Sequence, residues 1–470
     1  MNPEKGQFVA DRPESTKNKP WIEQLPDAAS SYLAGRSLDE VEIIIPDTAG
    51  TSRGKAMPAY KFDPGGTFYL PISLFYQTIS GEYVDMEIEN QWLEKDILLI
   101  PDMTTASAVP WSDDPTLQVI CDMHHREGGR LELAPRNVLR RVLDLYAAMD
   151  LQPIVAPELE FYLAKPNLDP NEAIEPPIGR TGRQGISRQV YSMTAVDEYG
   201  PVIDTIYDFA EAQGLQIDTV IQEGGASQIE INLQHGDPLA LADQVFYFKR
   251  AIREAALKNG VFATFMAKPI RDEPGSAMHL HQSIVNKKTG ENIFSNPDGS
   301  PSDAFTHFLG GSQKYLMQAV PLLAPYVNSY RRITVDGQSA PANLEWASDN
   351  RTTGLRIPHS GAAARRVENR VIGMDCNPYL AIAASLACGY LGMKEAATPR
   401  PEAMNEVWEA DEQLPPNLRS ALDLFEEATA LWEVLGPEFC QLYLDIKRAE
   451  NEEYQREISP WERRHLLLNV

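Results

Sequence analysis

The sequence predicts an α+β protein with a small β-rich unit over residues 21–125 and a larger catalytic domain over residues 126–470. Three observations carry this expectation. At 470 residues the chain is too long for one compact core. Before residue 125 its apolar runs are short and broken by Pro and Gly, whereas beyond it helical patterns interleave with isolated strands. Four of the later strands place charge at every second position, as a sheet with one polar face requires.

Residues 1–20 are polar, contain three prolines and read as a mobile tail. VEIIIPDTAG (41–50) and KAMPAY supply strand and turn, and GTSRGKA (50–56) reads as a turn because it lacks the Walker A spacing. FDPGGTFYLPIS adds further punctuation, and EKDILLIPD and TLQVICDM (116–123) read as strands. HHREGGR is a polar hinge. APRNVLRRVLDLYAAMD then starts a helix at Pro135, with apolar residues at 138, 142, 145 and 149. It feeds the strand QPIVAPELEFYL. A second helix begins at the N-cap Asp237 with Pro238 behind it, runs to Gly260 and feeds VFATFMAKP. A third begins at Asn377–Pro378 and contains the apolar run YLAIAASLACGYLGM. That run is shorter than the roughly 20 residues a bilayer span needs, so it reads as a buried helix.

Forty-two basic and sixty-seven acidic residues leave a net charge of −25, which argues against nucleic acid as a partner. Cys121, Cys376, Cys388 and Cys440 are scattered without a CxxC pair, as expected of free thiols in a reducing cytoplasm. The first twenty residues hold no apolar stretch of the secretory type. A cytoplasmic protein with no membrane segment is expected.

The polar faces carry the chemistry. PELEFYL (157–163) puts Glu158 and Glu160 on one face, and QIEINL (228–233) adds Gln228, Glu230 and Asn232. MHLHQS (278–283) places His279 beside His281, and RRVENRV (365–371) places Glu368 between Arg366 and Arg370. QEGGAS contributes Glu223. Each motif alone is as well explained by a solvated edge, a pair of surface or core histidines, or an ion-pair ladder. Together, on one curved sheet, they offer several carboxylates with one or two imidazoles, a donor set for octahedral Mg²⁺ or Mn²⁺ rather than zinc. Five carboxylates exceed the needs of one ion, so two or more metals are expected. Flanking arginines suit phosphoryl transfer.

PELEFYL, QEGGASQIEINL, KPIRDEPGSAMHLHQS, NSYRR, DNRTTGLRIP and RRVENRVIGMDCNPYLAIAASL resemble glutamine synthetase motifs in order and approximate spacing. EKDILLIPD is similar to that family's N-terminal β-grasp segment. The resemblance implies a curved antiparallel sheet flanked by helices, and ligation of glutamate to ammonia through γ-glutamyl phosphate at the expense of ATP. It also implies a homo-oligomer of two stacked hexameric rings with sites shared between subunits. By resemblance, Glu160, Glu223 and Glu230 hold the metal beside glutamate, and Glu158, His279 and Glu368 the metal bridging the ATP phosphates. Arg332 and Arg370 clamp glutamate and its γ-phosphoryl group, Arg351, Arg356 and Arg366 contact phosphate, His281 lies on the nucleotide side, and Gly275 sits in the glutamate loop.

Two departures redirect the acceptor. Where ammonia-using members carry a Glu before Ala-Pro, this chain has Ser339 in ITVDGQSAP, with Asp336 a partial substitute. Where they bind ammonium through an Asp in the small domain, FYQTISGEY places Tyr76 or Gln77. A site that keeps glutamate activation without its ammonium carboxylates resembles the γ-glutamylpolyamine (γ-glutamylputrescine) synthetases. More distant acids, Glu82, Asp85 and Glu87, could then face the amine, and Glu223 could assist proton removal. An ordinary glutamine synthetase and a catalytically dead scaffold are the competing readings. All six metal positions are acidic or His, which weighs against the scaffold.

Overall fold

The computed structural model describes residues 19–84, 95–187, 189–333, 340–407, 410 and 412–470. Most of the expected tail, together with Asp85, Glu87, Asp336 and Ser339, lies outside these residues. At the start of the described chain, Lys19 Nζ donates to the carbonyls of Tyr60 and Phe62, and a short 3₁₀ helix covers Pro20–Gln24.

The first sheet holds β1 (Glu40–Pro46), β2 (Ser52–Pro58), β3 (Phe68–Pro71), β4 (Asp96–Pro101), β5 (Ser107–Ala108) and β6 (Thr116–His124). Its order is β2-β1-β6-β4-β3, with β5 paired to β6. β1 and β6 run parallel between antiparallel neighbours, the mixed arrangement expected of a β-grasp-like unit. Residues 52–56 are not a turn, as their sequence suggests, but part of β2. The turn is confined to Asp47–Thr51, where Asp47 Oδ1 accepts from the amides of Ala49 and Thr51. β2 is an edge strand, mostly exposed, so it lacks the apolar alternation that marks a strand.

The second sheet holds β7 (Leu151–Ala164), β8 (Ile217–Gln222), β9 (Gln228–Leu233), β10 (Phe262–Thr264), β11 (Leu280–Asn286), β12 (Trp346–Ser348), β13 (Leu355–Ile357) and β14 (Val367–Asn369). The order is β12-β13-β14-β11-β7-β9-β8, with β10 on the far end of β7. All four charged strands therefore meet in one sheet, antiparallel except for the parallel β12–β13 pair.

Three helices fall where the sequence puts them: Pro135–Ala147, Pro238–Lys258 and Pro378–Glu395. Asp237 and Asn377 cap the latter two through side-chain oxygens that accept from the first-turn amides. The buried face of the first differs from the expected one. Val138, Leu139, Val142 and Tyr146 are buried, whereas Leu145 is only half-buried and Met149 is exposed. Tyr146 anchors that face, because its hydroxyl donates to the Leu386 carbonyl. Pro378–Glu395 buries residues around its whole circumference, packed between Pro135–Ala147 and a long helix, Asp303–Leu323. Two glycines let the last pair touch: a Cβ on Gly311 would stand 2.4 Å from the Gly392 Cα.

Ile44 and Ile120 of the first sheet join the large core, while Leu442 and Ile446 of the Pro437–Arg456 helix join the small one. The two sheets are thus held as one body by apolar exchange in both directions. Among the described residues, no helix is long and apolar enough to cross a membrane.

Candidate active site

Strand register assembles the site. Glu160 stands opposite Glu230, Glu158 opposite Asn232, and His281 opposite Glu368, which itself faces Arg356. Leu159, Phe161, Ile229 and Ile231, on the alternate positions, are fully buried beneath. The polar face is thereby fixed, because a one-residue slip would bury every acid and expose every apolar side chain.

Glu158 lies at the centre. Its Oε1 is 2.8 Å from His281 Nε2 and its Oε2 is 3.1 Å from His279 Nδ1. Burial alone would raise its pKa, but the two imidazoles outweigh it and hold the carboxyl far below its usual range. Glu160 accepts from the Ala277 amide at 2.8 Å and from Gln228 Nε2 at 3.3 Å. Asn232 Nδ2 donates to Glu230 at 3.0 Å. Glu368, 1% exposed, accepts from Arg356 Nη1 at 2.7 Å and Arg370 Nη1 at 2.5 Å. Burial would raise it, yet the Arg370 charge and then the two histidines bring it down to about 2.

Donor atoms close enough to share an ion fall into two groups, Glu158–Glu230–His279 and Glu158–His281–Glu368, each within 4.8 Å. Glu158 belongs to both groups, His281 joins Glu368 in the second, and His279 lies near enough to Glu368 to feel its charge. Glu160 lies next to the first group, 3.6 Å from His279 Nδ1. Burial, then the charge of Arg370, presses His279 down to about 4, so it is a neutral imidazole with a lone pair to offer at neutral pH.

The remaining acids behave as a set short of positive charge. Glu160, Glu223 and Glu230 are raised by burial first, Glu160 further by the charge of Glu223, and Glu230 by those of Glu160, Glu158 and Glu223. Hard divalent cations fit such oxygen-rich donors. A raised folded-state pKa means that these groups stabilise the cation-free fold only while protonated. That contribution is lost as pH rises above the ordinary carboxylate range of about 4. Mg²⁺ or Mn²⁺ should therefore raise the melting temperature more at alkaline than at mildly acidic pH, and should release protons on binding. At about a hundred times Kd the linkage is worth about 2.7 kcal/mol. Calorimetry at two pH values checks this, and an equal or smaller rise at alkaline pH would remove the carboxylates from the binding set.

Around the acids stand the arginines. Arg332 is buried, and its guanidinium donates to the carbonyls of Val371 and Arg370 at 2.8 and 2.9 Å. Gly275 lies against it. A Cβ there would sit 2.6 Å from both Arg332 Cγ and the Ala267 carbonyl oxygen. On the resemblance that places Gly275 in a glutamate loop, Gly275→Ala should shift the Pro274–Gly275 segment and raise the KM for glutamate by about tenfold or more, since ångström misplacements of positioning groups are costly. A wild-type KM would separate this loop from the substrate. Arg366 Nε donates to His281 Nδ1 at 3.1 Å, and Arg351 is exposed, its charge acting on Glu223.

Beside Glu158, His281 and Arg366 opens a cleft of about 1440 Å³, continuing past Asn232 and Ser295, with room for a nucleotide. Tyr76 is half-buried, and burial first, then the charge of Glu438, raises its pKa; Gln77 forms a β-bridge with Tyr83. Sequence reasoning missed Tyr162, whose hydroxyl donates to the Pro274 carbonyl at 2.7 Å, and Glu273, which accepts from the Ala226 amide at 3.2 Å. Tyr162 alternates onto the same face as Glu158 and Glu160, so the strand period could have found it.

The catalytic-domain signature of glutamine synthetase matches residues 132–466. The gamma-glutamylputrescine synthetase of Escherichia coli K12 is 35% identical over 440 residues, 92% of each chain. A glutamate–isopropylamine ligase from a Pseudomonas species is 30% identical over 95% of this chain and 98% of its own. A Halobacterium salinarum glutamine synthetase is also 30% identical, over 92% and 94%. Among solved structures, a GmaS–ADP complex superposes with a TM-score of 0.80 at 29% identity, covering 93% of this chain and 98% of that one. With the family signature on the domain that carries every one of the assembled acids and arginines, the chain belongs to the glutamine synthetase family of ligases.

Proposed function

We propose that the protein joins the γ-carboxylate of glutamate to an alkyl amine or polyamine, with ATP converted to ADP and phosphate. The observation that carries the reading is the single polar face on which acids, two histidines and arginines converge beside a nucleotide-sized cleft. The similarity to a gamma-glutamylputrescine synthetase and a glutamate–isopropylamine ligase supports an amine acceptor.

In this reading Glu158, Glu160, Glu223, Glu230, His279 and Glu368 hold two or more Mg²⁺ or Mn²⁺ ions. When bound, such ions neutralise phosphate oxygens. Arg332 and Arg370 orient glutamate, and Arg351, Arg356 and Arg366 face the phosphates. The γ-phosphoryl group passes to the glutamate carboxylate and ADP leaves. The amine nitrogen then attacks the acyl carbon, phosphate departs, and the nitrogen loses one proton. Glu223, whose hold on a proton burial strengthens, is the acceptor for it. Ser339, where ammonia-using members carry an acid, supplies no carboxylate to hold an ammonium ion.

An alkylamine has a pKa near that of lysine, so at neutral pH about one molecule in a thousand is uncharged. The rate should rise towards alkaline pH as free amine increases. The test is ADP release with ammonium, putrescine and short monoamines at equal concentration. If ammonium is the best acceptor, the protein is a glutamine synthetase, the second reading, which the Halobacterium relative keeps in play. We further propose a cytoplasmic, ring-shaped dodecamer, in keeping with four buried free cysteines and with the family resemblance. A catalytically active monomer in light scattering would refute the ring.

A further inference from the structure

The loop before the Met193–Glu198 helix presents large apolar side chains to solvent. Val190 is 45% exposed and Tyr191 61%. Nothing in the packing of the core requires them there, and single exposed apolar residues need no explanation, but adjacent ones at a polar site do.

Their placement is specific. The Tyr191 amide donates to the Gln222 carbonyl at 2.9 Å, tying the loop to the residue before Glu223. Tyr191 holds φ at +62°, a region disfavoured for a residue with a Cβ, so the turn is fixed by its surroundings and not by local preference. On the next segment, Gly224 lies between Val190 and Pro274. A Cβ at Gly224 would be 3.9 Å from Val190 Cγ2 and 3.2 Å from Pro274 Cγ. The Gly224 amide donates to the Glu223 carboxylate at 3.3 Å. One carboxylate and one branched apolar side chain therefore flank the same glycine, across from the Pro274–Gly275 loop.

We infer that Val190, with Tyr191 beside it, forms the wall that receives the carbon chain of the acceptor amine, while Glu223 faces its nitrogen. This rests on the proposed amine-ligase reading and adds to it the residue that reads chain length. An ammonium ion gains nothing from such a wall, whereas an alkylammonium ion matches both halves, cation towards carboxylate and chain along the valine. Each methylene sheltered from water adds to transition-state binding.

The experiment measures kcat/KM for methylamine, propylamine and butylamine in the wild type, Val190→Ser and Val190→Phe. In the wild type the values should climb with chain length. In Val190→Ser the butylamine-to-methylamine ratio should fall about tenfold, in keeping with the discrimination a methylene or two provides. Val190→Phe should lower the same ratio by filling the space, with KM for ATP unmoved in both variants. Equal loss for all three amines, or an unchanged ratio, overturns the inference. So does a changed assembly size in light scattering with the ratio intact, which would assign the patch to contact between copies. A wild type that turns over ammonium and no alkylamine is a different failure, since it removes the amine reading itself before Val190 is tested.

Discussion

Replacing Glu368 by alanine should lower phosphate release by at least about 10²–10³-fold, the usual loss when one preorganised electrostatic contact is removed. The structure makes the position unusually sensitive. Glu368 is buried between Arg356 and Arg370, and its carboxylate lies within ion-sharing distance of Glu158 and His281. Truncation removes a donor from that group and leaves two guanidiniums facing each other without their shared anion. Breaking a buried ion pair in this way commonly costs about 3–5 kcal/mol, so an inactive alanine variant could be a misfolded one. Glu368→Gln separates the two effects. It keeps the size and one oxygen but loses the charge, so it should melt closer to wild type while staying inactive. Full activity in a folded Glu368→Gln, or of the wild type in excess chelator, would end the case for a divalent-cation site here.

The same residue shows what the sequence could and could not disclose. Alternation alone put Glu368 on a polar face with Arg366 and Arg370, and the observed strand keeps that parity over Val367–Asn369. What alternation cannot supply is register. The pairing of Glu368 with His281 on one side and Arg356 on the other arises between segments far apart in the chain. Leu280, not Met278, begins β11, and His279 stands just ahead of it, turned towards Glu158 and Glu160. The three-residue strands β12 and β13 are too short to show a period and were not legible. Edge strand β2 hid for the opposite reason, being exposed on both faces. The three helices with an Asp or Asn cap, or a first-turn proline, were legible because their capping chemistry is local. The Asp303–Leu323 helix and the helices between 418 and 456 have the packing of core elements, yet their sequences went unassigned. The exposed pair Val190 and Tyr191 was missed because exposure of an apolar side chain is a property of the fold and has no sequence signature.

The largest effect on stability should come from Arg136. Arg136→Met should lower stability by about 3–5 kcal/mol, the cost of stranding buried charges. Arg136 is 1% exposed and binds three aspartates at once. Its Nε and Nη2 hold Asp243 in a two-point contact at 3.0 and 2.8 Å, Nη2 also reaches Asp102 at 2.8 Å, and Nη1 meets Asp122. Tyr379 donates its hydroxyl to Asp243 at 2.7 Å, and Arg140 supports Asp122 at 2.9 Å. Asp122 lies on β6 of the first sheet and Asp102 just past the end of β4, while Asp243 and Tyr379 lie on helices of the larger domain, so this one guanidinium joins both halves of the molecule. Methionine fills similar volume but leaves Asp102 and Asp122 sharing Arg140, and Asp243 with only the Tyr379 hydroxyl. In the wild type, burial raises Asp243 and Arg136 opposes it; without Arg136, Asp243 must rise further. A carboxyl whose folded pKa is raised stabilises the fold only below its unfolded value, and that contribution is lost as pH climbs through the folded one. The gap between variant and wild type should therefore be widest at neutral pH and narrow as pH falls and the aspartates take up protons. Melting curves across that range decide it. A gap that stays constant with pH would mean that lost packing, not stranded charge, is what the arginine prevents, because a methylene count does not titrate.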